Sequence, residues 1–378
     1  MSTRVEPDLL PALKAYGAAG AEQCLNCGNC TAICPLSTTG NPFPRDCIRL
    51  AQVGLRDRLR SSLDPWLCYY CGECSSTCPR GAEPGETMMA VRRWLTAQYD
   101  WTGLARRLQT SRGWVWASLL FPVLLILLLA TFFHGPVITE RVALNTFAPV
   151  ELIHQLDLIL AGMIAFFLFS NLYRMHRLAM SREPGTGIPF SLYLREAWRL
   201  AYHFLTQARF SRCESRRRWL SHLVLVGGYV TMFLLIVVFL SWFQTDELYP
   251  LYHPQRWVGY LAALAILYGA GDALWGRLHK RHQMHRFSHP GDWLFPLLLV
   301  LMAVSGLSIH VFRYQGWPMA TYLTYVAHLA LMLSLYVCVG PMGKWSHLAY
   351  RPFAVYLQAV KEAARARQGA ATQLAPAG

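Results

Sequence analysis

Charged residues are scarce: Asp, Glu, Lys and Arg make up 15 % of the 378 residues, against a hydrophobic share of 54 % and a mean hydropathy of +0.26. That balance excludes an ordinary soluble globular chain and predicts a membrane protein. Acidic residues are scarcer still, 21 against 35 basic ones, for a net charge of +14. Such a surplus suits either nucleic acid or an anionic membrane surface. The long apolar runs decide for membrane lipid, and no nucleic-acid partner is expected. The opening stretch MSTRVEPDLL has no apolar core and no small-residue cleavage site, so no secretory signal is expected there. Cysteine is nearly missing from most of the chain: nine of the 11 fall within 24–78, and only Cys213 and Cys338 lie beyond. This clustering excludes a disulfide framework spread through a fold and predicts metal binding in a reducing compartment.

The clustered cysteines form two matching motifs, Cys24-x2-Cys27-x2-Cys30-x3-Cys34-Pro35 and Cys68-x2-Cys71-x2-Cys74-x3-Cys78-Pro79. A [4Fe–4S] cubane needs four converging thiolates. Three closely spaced cysteines wrap one cluster, and the fourth of each run ligates the other. Cys24, Cys27, Cys30 and Cys78 are therefore assigned to one cluster, and Cys68, Cys71, Cys74 and Cys34 to the other. Gly28 and Gly72 let backbone approach the sulfides. Two zinc sites would instead use paired Cys-x2-Cys knuckles, not runs of four followed by proline. Cys47 sits in the helix-like PRDCIRLAQVG and reads as a packed thiol.

Six apolar runs follow, near 114–134, 152–173, 219–243, 257–276, 293–312 and 320–343. Each approaches the roughly 20 residues that cross a bilayer core. The fourth and fifth are marginal and interrupted by Gly or Pro. Residues 174–218 hold ten Arg and three Glu, and Arg277, Lys280, Arg281 and Arg286 crowd the next connection on that side. Lys344, Arg351, Lys361, Arg365 and Arg367 follow the last run. The intervening loops are poor in basic residues, with Arg256 against Asp246 and Glu247 in one and Arg313 alone in the other. This alternation is the positive-inside pattern and predicts both termini in the cytoplasm of a bacterial or archaeal cell, with a multi-pass protein in its cytoplasmic membrane. The expected fold is all-α: a cytoplasmic two-cluster ferredoxin domain over 1–112, a six-helix transmembrane cytochrome b bundle over 113–350, and a basic tail over 351–378. Leu194, Trp198, Ala201 and Leu205, with Phe204 beside them, recur at helical spacing. They predict an amphipathic helix on the membrane surface or, equally, a helix that covers or docks a partner.

Most of the 13 histidines sit in loops, where solvated or lipid-facing roles are expected, among them His176, His279, His282, His285 and His289. Those at or inside span ends carry a cost unless partnered. His222 with His347 on the inner side, and His328 with His310 on the outer side, pair at matched depth, as bis-histidine haem b requires. His154 is the alternative to His310. His328 and His347 are 19 residues apart, which on one continuous helix is about 28 Å. Arg313, Lys344 and Arg351 are candidate contacts to haem propionates. His154 with Asp157 predicts proton transfer at a quinone pocket; Asp272 is a rival, and either carboxylate could instead cap a helix end.

The paired cysteine motifs over 20–90 resemble the C subunit of heterodisulfide reductase. The segment VAHLALMLSLYVCVGPMGKWSHLAYRP, with His328 and His347, and RWLSHLVLVGGYV, with His222, resemble the b-type cytochrome component of that enzyme and the gamma subunit of respiratory nitrate reductase. Met232 stands where the latter carries a further histidine, so an outer haem either takes a ligand from elsewhere or is absent. Head and bundle together resemble the C-subunit family of the quinone-interacting membrane-bound oxidoreductase. That resemblance implies two flavin and iron–sulfur partner subunits, and through them adenylylsulfate reductase in dissimilatory sulfur metabolism.

The function expected is quinone-linked electron transfer through two haems b and two [4Fe–4S] clusters, as a subunit of an oxidoreductase complex. A membrane anchor of a heterodisulfide- or sulfite-linked reductase is the nearest alternative. A haem-free membrane redox sensor or assembly factor is a more distant one.

Overall fold

The computed structural model describes residues 4–181, 188–212 and 215–374. Cys213 lies outside the described residues, as do 375–378 at the end of the expected tail. Among the described residues every regular element is helical, apart from an isolated bridge between Thr38 and Asn41.

Six helices are long and apolar enough to cross a membrane: Arg112–Phe132, Val150–Met180, Arg216–Val237, Pro254–Leu278, Pro290–Tyr314 and Pro318–Val339. Their outward side chains, among them Phe121, Leu124, Phe166 and Leu261, are large, apolar and exposed, as lipid-facing positions are. The fourth and fifth are unbroken, contrary to expectation. Pro296, the proline within the fifth run, stands inside the helix without ending it, and Pro254 and Pro290 occupy first-turn positions, where a proline removes no helical hydrogen bond. Glycines in the fourth permit close packing instead of interrupting it: a Cβ on Gly269 would stand 2.5 Å from Leu225 Cβ, in the third helix.

The cysteine-rich head consists of short helices around the longer Pro84–Tyr99. Leu9, Leu13, Ile48, Leu59, Trp66, Met88, Leu95 and Tyr99 form its core, and Cys47 is buried among them. That core extends beyond the head to Met175 and Ala179 of the second membrane helix and to Tyr350, Ala354, Val355 and Leu357 of the terminal helix His347–Leu374. The expected basic tail is thus in large part a structural helix. One face carries apolar residues that complete the head, while Arg365 and Arg367 stay exposed.

A second difference concerns the sixth span. It stops at Val339, and a new helix starts at His347, so His328 and His347 do not share one continuous helix. Gly340 has ψ −131°, and a Cβ there would lie 2.2 Å from the Tyr336 carbonyl oxygen. With Pro341 next, the chain cannot continue as a helix.

The amphipathic stretch forms Phe190–Glu196 and Trp198–Thr206. Leu194, Trp198, Ala201 and Leu205 are exposed, while Leu192, Glu196 and His203 are buried on the side that packs against the terminal helix. The stretch therefore covers the terminal helix, as one of the two expected roles requires, and leaves an apolar face exposed.

Polar contacts hold the head on the same side as the basic loops. Gln109 Nε2 donates to the Met342 carbonyl at 3.1 Å, and His289 Nε2 donates to the Gln109 carbonyl at 2.9 Å. Gln283 Nε2 reaches Glu83 at 3.1 Å. His289, expected to be solvated, is therefore a docking residue.

Candidate cofactor sites

The two cysteine motifs fold alike. Asn26 and Tyr70 take positive φ, 57° and 54°, followed by Gly28 and Gly72 at 96° and 95°. The Asn26 amide points at Cys24 Sγ at 3.4 Å and the Tyr70 amide at Cys68 Sγ at 3.3 Å. Each loop then enters a short helix, Asn29–Ile33 or Glu73–Ser76, which carries the third cysteine. Left-handed backbone turns the amides inward toward sulfur, a position where N–H groups tune a cluster.

The fourth cysteines cross over. Cys34 lines one cavity of about 250 Å³ with Cys68, Cys71 and Cys74. Cys30 instead has Cys24, Cys27 and Cys78 among its electrostatic neighbours. Burial, with the nearby Cys68 and Cys71 adding to it, pushes the Cys34 thiol up to about 11. Burial likewise raises Cys30 and Cys74. Gathered thiolates are costly without cations among them, so this donor set suits bound iron.

On the head side of the bundle, the rings of His222 and His347 have centroids 5.9 Å apart. Two metal–nitrogen bonds of about 2 Å, plus half a ring on each side, span about 6 Å. His222 Nδ1 donates to Gln207 Oε1 at 2.7 Å, and His347 Nδ1 donates to the Lys344 carbonyl. Each Nε2 is thereby the free ring nitrogen, the arrangement that orients metal-bound histidines. Burial holds His347 well below the usual histidine range, and Arg351 and His222 push the same way, so it stays neutral as a ligand must. Both rings line a cavity of about 270 Å³ that reaches Tyr69, Tyr70 and Trp66 of the head.

On the far side, His310 and His328 line a second cavity of about 170 Å³ with Asp157, Tyr325 and Met232. His328 Nδ1 donates to Ser305 Oγ at 2.8 Å, and Ser305 donates onward to the Met302 carbonyl at 3.0 Å. His310 Nε2 is buried without a hydrogen-bond partner. His154 does not line this cavity; its Nε2 donates to the Val237 carbonyl at 3.0 Å. Imidazole pairs in apolar cavities of this kind fit haem b.

The remaining candidates divide. Arg313 lines the far cavity and donates to the Thr245 carbonyl at 2.5 Å. Lys344 lines the near one but is paired with Asp292. Arg351 donates to the Cys68 carbonyl at 2.9 Å and covers the Tyr69 ring at 4.5 Å. Asp272 is bracketed by Arg217 and Arg281, each at 3.4 Å, on the head side and away from both histidine cavities.

Sequence reasoning missed several contributors. Gln207 and Ser305 orient histidines from distant positions, and nothing local marks them. Tyr69 lines both the Cys68 cavity and the His222 cavity. Its ring stacks on Phe210 at 5.1 Å, and Phe210 meets His222 at 5.8 Å. Arg218 donates to the carbonyls of Tyr70 and Cys71 at 3.3 and 3.4 Å. Tyr69 adjoins a ligand-type cysteine, the one signal that could have drawn attention to it.

Comparison with known proteins adds two regional matches. Residues 20–82 match the family model described as 4Fe-4S dicluster domain, and residues 194–370 match that of citrate utilization protein B. A protein of Archaeoglobus profundus described as like the C subunit of heterodisulfide reductase is 36 % identical over 104 residues, 27 % of this chain and 55 % of that protein. The C subunit of the H2:CoB-CoM heterodisulfide,ferredoxin reductase of Methanothermobacter marburgensis is 36 % identical over 76 residues, 20 % of this chain and 41 % of its own. The iron-sulfur C subunit of the CoB–CoM heterodisulfide reductase of Methanopyrus kandleri is 30 % identical over 98 residues, 26 % of this chain and half, 50 %, of that one. The chain thus spans about half the length of the curated relatives it matches. No solved structure matches it significantly. The head is a 4Fe–4S dicluster domain similar to these subunits of redox complexes.

Proposed function

We propose that the chain is the membrane subunit of an oxidoreductase complex, exchanging electrons between the quinone pool and a soluble flavoprotein through two haems b and two [4Fe–4S] clusters. The observation that carries this reading is the His222–His347 pair. Two imidazoles with centroids 5.9 Å apart line one cavity, each with its Nδ1 committed, on the side of the bundle where the Cys68 loop docks. Haem b and the clusters supply one-electron redox chemistry when bound. The protein's part is to hold them close and dry. Arg351 spans from the helix of His347 to the Cys68 carbonyl, and Tyr69 with Phe210 fills the interval between Cys68 and His222.

Each quinol oxidised releases two electrons and two protons, and each quinone reduced takes them up. Asp157, buried and lining the far cavity that His328 also lines, is the proposed proton carrier there, in place of Asp272 with its two arginine partners. In this reading Cys24, Cys27, Cys30 and Cys78 ligate the outer cluster, and Cys68, Cys71, Cys74 and Cys34 the one beside the membrane. His310, and not His154, partners His328. The head and both termini are taken to lie in the cytoplasm, on the basic-loop side.

Two partner assignments remain open to experiment. The resemblance of the whole arrangement to quinone-interacting oxidoreductase C subunits points to flavin and iron–sulfur subunits serving adenylylsulfate reductase. The match of 194–370 to citrate utilization protein B favours instead a partner that takes part in citrate utilization. Co-purification separates the two. An optical spectrum with pyridine haem assay and iron counting tests the core of the proposal. Absence of b-type absorbance overturns the membrane half, and non-haem iron far below about eight per chain overturns the head.

A further inference from the structure

Buried guanidinium donors without acceptors are costly and rare, so where they cluster they call for an anion. The cavity between His222 and His347 is lined by six basic side chains, Arg92, Arg93, Arg218, Arg277, Lys344 and Arg351, with Asp292 as the one carboxylate among its described lining residues. Asp292 is already engaged, by Lys344 and by Arg93 at 3.8 Å. Arg92 is 7 % exposed, and its Nε donates to the Pro65 carbonyl at 2.5 Å, yet its Nη2 is buried without a hydrogen-bond partner. Arg277, also 7 % exposed, donates from Nη1 to Ser288 Oγ at 3.2 Å, while its Nε is buried and likewise without one. The far cavity repeats the pattern. Arg256 and Arg313, beside His310 and His328, each bury an Nε without a partner.

We propose that Arg92 and Arg277 bind the two propionate carboxylates of the haem held by His222 and His347. This rests on the haem reading given above and departs from the expectation that Lys344 and Arg351 do so. A charge-assisted N–H to carboxylate bond removes the cost of the buried orphan donor and neutralises an anion that has left water. Lys344 is paired with Asp292, and Arg351 donates to the Cys68 carbonyl and lays its guanidinium face over the Tyr69 ring at 4.5 Å, a contact that sets it apart from Arg277. Arg92 belongs to the head helix Pro84–Tyr99, whereas Arg277 ends the fourth membrane helix. The haem pocket is therefore closed by the head itself, and haem binding and head docking stabilise each other by linkage.

The test uses full-length protein in detergent, depleted of haem and titrated with protohaem or with its dimethyl ester, in wild type, R92Q, R277Q and H222A. Acid-labile sulfide is measured in every sample. The wild type is expected to bind the ester about tenfold or more less tightly than protohaem, as the loss of a charged hydrogen bond implies. In R92Q and R277Q that gap shrinks, because protohaem binding falls while ester binding does not, and sulfide stays at the wild-type level. If R92Q keeps the wild-type gap while H222A loses the haem, the propionate assignment is wrong and the haem reading stands. If H222A binds haem as wild type does, the haem reading itself fails. Should R92Q also lose sulfide, Arg92→Lys decides. Restored preference for protohaem over the ester supports the assignment, and equal binding of the two overturns it.

Discussion

At the scale of single residues, the proposed haem site depends on whatever fixes the rings of its histidines. Gln207 does this for His222 by accepting from Nδ1 at 2.7 Å. Gln207 takes left-handed backbone, φ 51°, at the end of Trp198–Thr206, which aims its amide back at the third membrane helix. Removing a partner of this kind typically lowers affinity for the bound metal 10- to 100-fold. Gln207→Ala is therefore expected to weaken haem binding at the head-side site by about that factor. A haem titration with the iron–sulfur signal as internal control checks it; unchanged affinity would remove Gln207 from the site. The histidines themselves were legible, because an imidazole at a span end is conspicuous in a run of Leu and Val. Gln207 was not, since one glutamine in a polar loop carries no mark until folding brings it across 15 positions to His222. Arg92 and Arg277 were hidden likewise, among 35 basic residues whose burial no local pattern announces.

At the scale of elements, the break between the sixth membrane helix and the terminal helix decides where His347 points. Periodicity predicted the apolar run well and missed its end, because the stop comes from Gly340, Pro341 and Gly343 and not from a change in polarity. A Cβ on Gly343 would meet Val339 Cα at 2.6 Å, so both glycines are held by contact with the preceding turn. Gly340→Ala should cost roughly 1–3 kcal/mol in stability, the usual toll of forcing extra atoms into a filled space, because its Cβ would meet the Tyr336 carbonyl oxygen at 2.2 Å. It should also lower the ratio of haem to iron, because the shift propagates to His347; a normal ratio with normal Tm would contradict this. The docking of the head depends on pH through another element end. His289 precedes the fifth membrane helix, donating from Nε2 to Gln109 while its Nδ1 accepts from the Gly291 amide at 3.3 Å. Burial lowers its pKa to about 4, with Arg93 pushing down and Asp292 pushing up. The folded state thus favours the neutral ring, and its contribution is present above the ordinary value near 6.5 and is lost as pH falls toward 4. Protection factors against hydrogen exchange in the Arg106–Ser111 segment, corrected for the intrinsic pH dependence of exchange, should fall over that window as pH drops and fall less in His289→Gln. An equally steep profile in the variant would assign the effect to another group.

For the whole molecule, the all-α fold and six spans could be read from the chain because membrane insertion writes a long, redundant signal in hydropathy. The union of head and bundle could not. It rests on Ala354, Val355 and Leu357 joining a core built with Leu9, Ile48 and Met88, in a segment that composition alone marked as a tail. In the proposed reading this union would make the cavities successive stations: the far histidine pair, the near pair, the Cys68 loop, then the Cys24 loop with Cys27 exposed at the surface. If electrons follow that order, removing the far station must isolate the rest from quinone without touching the head. Oxidation by quinone is the informative direction, since a cluster reduced by dithionite gives up its electron downhill. Dithionite-reduced wild-type protein mixed with a soluble quinone analogue is expected to lose the reduced haem and reduced cluster signals together. His328→Ala, with its clusters intact, should keep both the near haem and the clusters reduced long after the wild type has reoxidised, while ferricyanide, which reaches the exposed Cys27 side, still oxidises them promptly. Reoxidation of His328→Ala by quinone at the wild-type rate would mean that quinone meets the chain on the head side, and the proposed order would be reversed.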